Sequence, residues 1–262
     1  MLPRTFMTAT SHVFPASSII SLTSPFTKIS LQAIKNTLVQ HASKTSNDAS
    51  PDEIHAAVLI PFCNVNNIPG VLLEVRGKLR THSGEVSFPG GKVDKTDMSC
   101  LDAALRETKE ELGVLSSQID VLGELGPPEQ SLSGMRVWPY VGFVYPSGDP
   151  SRQSGTEQEQ ESNTPLPSLS ISSLTISQPE VATVFHLPLS ALTSPARLRS
   201  DFFRRTSPYW AIDVSDLVQG VTWTNDPEQR DEIGGGRNGK LEVWGLTGWY
   251  LNLLAQTLQV YK

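Results

Sequence analysis

The chain has 262 residues, of which 38% are hydrophobic and 18% charged, and its formal net charge is −6. That supplies the core of one large domain or at most two, and no stretch approaches the roughly 18 uninterrupted apolar residues of a membrane span. Two cysteines, Cys63 and Cys100, cannot staple a secreted scaffold, which points to a reducing compartment. The acidic balance argues against coating nucleic-acid phosphates or anionic lipid, but not against a small phosphorylated ligand held by a local basic cluster.

Residues 1–47 contain no Asp or Glu, and the first thirty are rich in Ser and Thr. Residues 1–29 therefore read either as an organelle transit segment, which points to mitochondria, or as an unstructured tail. Leu31, Ile34, Leu38 and Val39 then recur at helical spacing behind Ser30 as a cap, so the ordered domain is expected over 30–262. His55–Pro61 and Val71–Val75 are apolar runs separated by a turn-forming stretch, a hairpin signal. Val86–Phe88 is a short strand, Ser99–Leu112 a helix, and Ile119–Leu125 and Val137–Tyr145 are further strands. Residues 146–179 are polar and poor in large apolar side chains, and are expected to form a disordered surface insertion, with an interaction loop as the other reading. Val181–Leu187, Tyr209–Val214, Val221–Trp223 and Leu241–Val243 read as strands. A last helix places Leu246, Trp249, Tyr250, Leu253 and Leu254 on one face. Mixed strands with an early and a late helix indicate an α/β (α+β) sandwich, a sheet covered by helices.

The chemistry is concentrated between Gly90 and Gly113. Leu101, Leu105, Thr108 and Leu112 form one stripe of the helix, and Glu107, Glu110 and Glu111 fall on another face at i, i+3 and i+4. Like charges so close destabilise a helix by a few tenths of a kcal/mol per pair. A divalent cation offsets this, and hard oxygen ligands suit Mg²⁺ or Mn²⁺. The other reading is a solvated acidic surface. Gly90-Gly91 lets the backbone approach closely, so that a bare Gly90 carbonyl can complete a coordination shell; otherwise the pair is an ordinary turn. Arg106 is placed to pair with a carboxylate and hold its rotamer.

Gly91, Asp97, Arg106, Glu107, Glu110, Glu111, Gly113 and Val114 together resemble the signature of the Nudix hydrolase family. Asp97 stands where the family has Glu, Thr108 takes an aliphatic position, and the interval from Asp97 to Arg106 is one residue longer. Asp97 fits a helix-capping role equally well. Upstream, Leu72-Leu73-Glu74-Val75-Arg76-Gly77, then Arg80, Gly84 and Phe88-Pro89-Gly90-Gly91, is similar to the motif of the coenzyme A diphosphatase subfamily. Glu74 replaces its Thr, Gly77 replaces its Ser, and one residue is missing between Gly77 and Arg80.

The resemblance implies a Nudix-type α/β/α sandwich with a mixed sheet and metal-dependent cleavage of the diphosphate of coenzyme A or acyl-coenzyme A to 3′,5′-ADP and 4′-phosphopantetheine. Glu107, Glu110, Glu111 and the Gly90 carbonyl would hold Mg²⁺ or Mn²⁺, with Arg106 supporting them. Glu107, Glu180 and Glu129 are candidates for the general base. Arg76 and Arg80, the guanidinium members of a cluster with Lys78 and His82, would bind substrate phosphates. Cys63 and Cys100 read as packed side chains. Rival readings are a Nudix diphosphatase for NADH, ADP-ribose or a damaged nucleoside triphosphate, a non-catalytic Nudix binding module, and a scaffold acting through 146–179. The subfamily resemblance also points to peroxisomes, although Val260-Tyr261-Lys262 is not an S-K-L address; a cytoplasmic setting stays open.

Overall fold

A computed structural model describes residues 18–41, 53–77, 84–148, 163–177, 180–218 and 240–261. At the centre lies β1 (His55–Val65). Ala57, Leu59 and Cys63 point to one side and Ala56, Ile60 and Phe62 to the other, and all six are buried. A strand covered on both faces reads as a continuous apolar run, which is why it stands out in the sequence. β2 (Ile68–Arg76) returns antiparallel through Asn66 and Asn67, both at positive φ, a conformation asparagine tolerates in tight hairpin turns.

β3 (Val86–Ser87) and β8 (Val181–Pro188) pair antiparallel with β2, and β4 (Gly90–Lys92) pairs antiparallel with β1. β5 (Ile119–Glu124) and the short β6 (Glu129–Gln130) flank β7 (Arg136–Val144), which runs parallel to β1 from His55↔Arg136 to Phe62↔Phe143. The result is a mixed sheet with the central order β3-β2-β1-β7-β5. Helix α2 (Cys100–Leu112) buries Ala103, Ala104 and Leu112 on one face. On the other face, α1 (Lys28–His41) and α3 (Gly245–Thr257) bury Ile34, Leu38, Leu251 and Leu254. The expected α/β sandwich with a mixed sheet is therefore the fold. A second antiparallel sheet, β9 (Leu198–Phe203), β10 (Ser207–Asp213) and β11 (Glu242–Val243), lies under α3. β9 escapes sequence reading because Arg199 and Asp201 interrupt its apolar residues; the pair bond to each other, and Arg199 also bonds to the buried Glu242. The expected strand Val221–Trp223 lies outside the described residues. No described helix is long and apolar enough to cross a membrane.

Two expected boundaries are corrected. The domain does not begin at residue 30: Ile20 and Phe26 are buried in the core, and Ile19 N–H donates to Leu258 O at 3.1 Å. The helix cap moves with it. Thr27 rather than Ser30 caps α1, and each donates its backbone N–H to the other's hydroxyl, at 2.8 and 3.2 Å. Val39, expected on the apolar face, is exposed, and Thr37 is buried instead.

The expected disordered insertion over 146–179 is likewise corrected over 163–177, where Leu166 and Leu169 are buried. These two leucines sit in a proline- and serine-rich stretch too sparse to register as an apolar pattern. Asn64, fully buried, joins the two unexpected segments, accepting from Phe26 N and donating to Phe26 O and Leu166 O. Residues 149–162 lie outside the described set.

Candidate active site

Helix α2 starts and stops where its sequence dictates. Ser99, in extended conformation, accepts from Asp102 N at 3.1 Å, and Gly113 ends the helix at φ 71°. The capping role open to Asp97 thus belongs to Ser99. Asp97 instead receives a two-pronged contact from Arg106, at 2.9 and 3.0 Å, and accepts from Asp94 N. Arg106 holds its carboxyl below the usual range. The same guanidinium donates to Glu107 Oε1 at 2.9 Å, to Glu110 Oε2 at 3.3 Å and to Lys92 O at 3.1 Å. Arg106 therefore ties the loop before α2, strand β4 and two carboxylates into one unit, a fuller form of the support expected of it.

The three glutamates differ in burial. Glu110 points outward, its side chain 53% exposed, and Glu107 is mostly covered. Glu111 is 5% exposed and belongs to the buried side of the helix with Ala104 and Thr108. The stripe predicted from Leu101 and Leu105 is thus rotated, since both are only partly buried. Thr108 is accommodated at an aliphatic position because its hydroxyl donates back to Ala104 O at 2.7 Å.

The glycine pair meets this face directly. Gly90 N–H donates to Glu111 Oε2 at 2.8 Å. Gly90 sits at φ 152°, where a side chain would strike the Ala57 carbonyl. At Gly91 a Cβ would lie 2.5 Å from the Glu107 carboxyl. Because that carboxyl ends a flexible side chain, Gly91→Ala is expected to keep the fold within about 1 kcal/mol while displacing Glu107 and lowering turnover about tenfold. Melting curves and steady-state assays of the variant check both halves.

Sequence reading missed Glu74. It is fully buried on β2, amid Val71, Leu72, Leu73 and Val75. The signal was a lone acid inside an apolar run, a position that requires partners. Ser87 Oγ donates to Glu74 Oε1 at 3.0 Å. Burial, with the nearby charges of Glu180 and Glu107, pushes the Glu74 carboxyl up to about 7. Burial and the charge of Glu74 push Glu111 up to about 9, against the Gly90 N–H that favours its ionised form. Burial also raises Glu107. Arg76 lies close enough to lower both Glu74 and Glu111, and its Nε is buried without a hydrogen-bond partner.

Glu180, a general-base candidate, is the exposed turn residue just before β8, within electrostatic reach of Glu74 and Glu107. Glu129 lies on β6, away from this cluster: Trp249 Nε1 and Arg204 hold its carboxylate at 3.3 Å each, which makes it a fastening between β6 and α3. Arg80, Lys78 and His82 lie outside the described residues. Cys63 is buried, and burial raises its thiol, consistent with a packed side chain; Cys100 is half-buried.

The geometry defines a class: a mixed α/β sandwich presenting an acidic helix, gripped by one arginine, to a glycine pair on the central sheet. The family model described as NUDIX domain matches residues 53–173. It is 38% identical over 152 residues to a protein described as an uncharacterized Nudix hydrolase, NudL, of Escherichia coli (strain K12), covering 57% of this chain and 66% of that one. The protein of the same description from Cronobacter sakazakii (strain ATCC BAA-894) is 46% identical over 99 residues, 37% of this chain and 50% of that one. The chain thus spans between half and just under two thirds of these curated relatives. Among solved structures, the NUDIX domain of Shewanella oneidensis NrtR complexed with ADP ribose aligns at a TM-score of 0.37 and 17% identity, over 57% of this chain and 82% of that one.

Proposed function

We propose that this chain is a divalent-metal-dependent Nudix hydrolase that cleaves the diphosphate of coenzyme A or an acyl-coenzyme A, giving 3′,5′-ADP and 4′-phosphopantetheine. The observation that carries the hydrolase reading is the buried carboxylate Glu111, clamped by the Gly90 amide beside Glu107 and Glu74. Nudix enzymes generally use divalent metal ions, and the donors here are hard oxygens that suit Mg²⁺ or Mn²⁺. Among the described residues no three acidic, His or Cys side chains already form a ligating cluster; Arg106 engages Glu107 and Glu110, and the Gly90 amide engages Glu111. The high carboxyl of Glu111 and the crowding of acids fit a cation all the same, with Glu107, Glu111 and the Gly90 carbonyl as its main holders and Glu110 at the rim. When bound, the metal neutralises the diphosphate and lowers the pKa of an attacking water. Arg106 fixes the rotamer of Glu107, and the Gly90 N–H fixes that of Glu111. Glu107 and Glu180 are the two candidates to accept a proton from water.

The substrate reading rests on Arg76, Arg80, Gly84 and Phe88-Pro89-Gly90-Gly91, the residues similar to the coenzyme A diphosphatase motif. Arg76, beside the carboxylates with an unspent Nε donor, suits the diphosphate. Arg76→Ala is expected to lower kcat/KM about 10- to 100-fold, the loss of one or two charge-assisted hydrogen bonds, for every diphosphate tested. The deciding assay sets coenzyme A against its 3′-dephospho form, ADP-ribose and NADH, with Mg²⁺ or Mn²⁺, EDTA as the blank and products resolved by chromatography. Metal-dependent release of 3′,5′-ADP is expected. Preference for ADP-ribose or NADH would replace the substrate and keep the hydrolase, and inertness to all four would leave a binding module.

A further inference from the structure

Glu74 departs from the motif around it, which has threonine at that position. On β2 it shares a face with Leu72, whose side chain packs in the cluster under α2, while Val71, Leu73 and Val75 face α1 and α3. The glutamate is therefore aimed at the acidic helix. It is fully buried, and Ser87 satisfies only one of its oxygens; Oε2 is buried with no hydrogen-bond partner. Its charge is felt at Glu111, and it feels those of Glu107 and Glu180 in turn. A fully buried carboxylate with an idle oxygen, set among other acids, is an expensive arrangement unless something binds that oxygen.

We propose that Glu74 is a further ligand of the divalent cation, its Oε2 reaching from the central sheet to complete a hard-oxygen cage with Glu107 and Glu111. This rests on the metal-dependent hydrolase reading. Ser87 orients the carboxylate by holding Oε1, which leaves Oε2 for the metal. Glutamine at this site keeps the shape, the Ser87 contact and a neutral oxygen, but not the charge; threonine is too short to reach. If Glu74 were only a buried, protonated filler, glutamine would serve equally well.

The test measures Mn²⁺ binding to the full chain by calorimetry and by electron paramagnetic resonance of free Mn²⁺, for wild type, Glu74→Gln, Glu74→Thr and Glu111→Gln. Circular dichroism establishes which variants are folded, and Glu74→Thr, the residue of the resembled motif, serves if Glu74→Gln does not fold. The expected result is at least tenfold weaker Mn²⁺ binding, or one fewer ion bound, in the folded Glu74 variants. Wild-type binding by Glu74→Gln or Glu74→Thr alongside impaired Glu111→Gln would overturn the Glu74 assignment and leave the active-site reading intact. Failure of wild type itself to bind Mn²⁺ at millimolar concentration would overturn both.

Discussion

Replacing Glu111 by glutamine is expected to lower diphosphate hydrolysis about 10³-fold or more and, in the metal-free protein, to raise stability at pH 8. The two effects share one cause. Glutamine still accepts the Gly90 N–H through its amide oxygen, so the contact at 2.8 Å survives; what disappears is the negative charge proposed to hold the cation. Burial and Glu74 hold the Glu111 carboxyl up to about 9, against 4.5 ordinarily. Between those values the folded protein binds a proton that the unfolded chain has released, so stability is full below about pH 4.5 and falls as pH rises towards 9. One such proton gives a slope of about 1.4 kcal/mol per pH unit at most, and Glu74, raised to about 7, adds a slope of the same sign below that pH. Glutamine removes the Glu111 share. Thermal unfolding in EDTA should therefore find wild type and Glu111→Gln close near pH 5 and separated by up to about 4 kcal/mol at pH 8. Parallel curves, or a less stable variant at pH 8, would show that Glu111 is not held as the structure has it.

How much of this was legible in the sequence depends on the range of the signal. Helix α2 announces itself locally: Ser99, Gly113 and the Arg106-Glu107-x-x-Glu110-Glu111 spacing define its ends and its chemistry within a few turns. The central strands do so through length and apolarity. The rank order of the three glutamates was not legible, because spacing alone places them on one face without saying which edge of it the sheet covers. Contact with β1 and the glycine pair decides that Glu111 is inside and Glu110 outside. Glu74 was legible only as an anomaly, an acid inside Val71–Val75, whose meaning depends on a helix some thirty residues further along. Asp97 shows the reverse case. Its local position suited a cap equally well, and only the reach of Arg106 from the next turns assigns it.

The strap formed by residues 18–27 and 163–177 was the least legible part, and it carries the second large prediction. Neither segment has a periodic apolar pattern, since each contributes two well-buried anchors, Ile20 with Phe26 and Leu166 with Leu169. Their backbones also need partners, and the partner is a side chain distant in sequence. Asn64 accepts from Phe26 N at 2.8 Å and donates to Phe26 O at 3.1 Å and Leu166 O at 2.9 Å, while Leu169 N donates to the Asn64 backbone carbonyl at 2.7 Å. Asn64→Ala would strand Phe26 N and Leu166 O in the interior, each worth about 1–3 kcal/mol when left unsatisfied, and would take from Phe26 O one of its two donors, the other being Leu166 N. A loss of about 3–4 kcal/mol is expected, less than the sum because the strap can shift to admit water. Denaturant melts measure the loss. Proteolysis adds a local readout, with new cleavage expected in 163–177 before global unfolding. Asn64→Asp is the sharper comparison: it keeps the acceptor for Phe26 N but loses both donors and buries a carboxylate, so it should be no less damaging than alanine. An Asn64→Ala variant within 1 kcal/mol of wild type would mean that the strap holds by its buried apolar anchors, Ile20, Phe26, Leu166 and Leu169, alone.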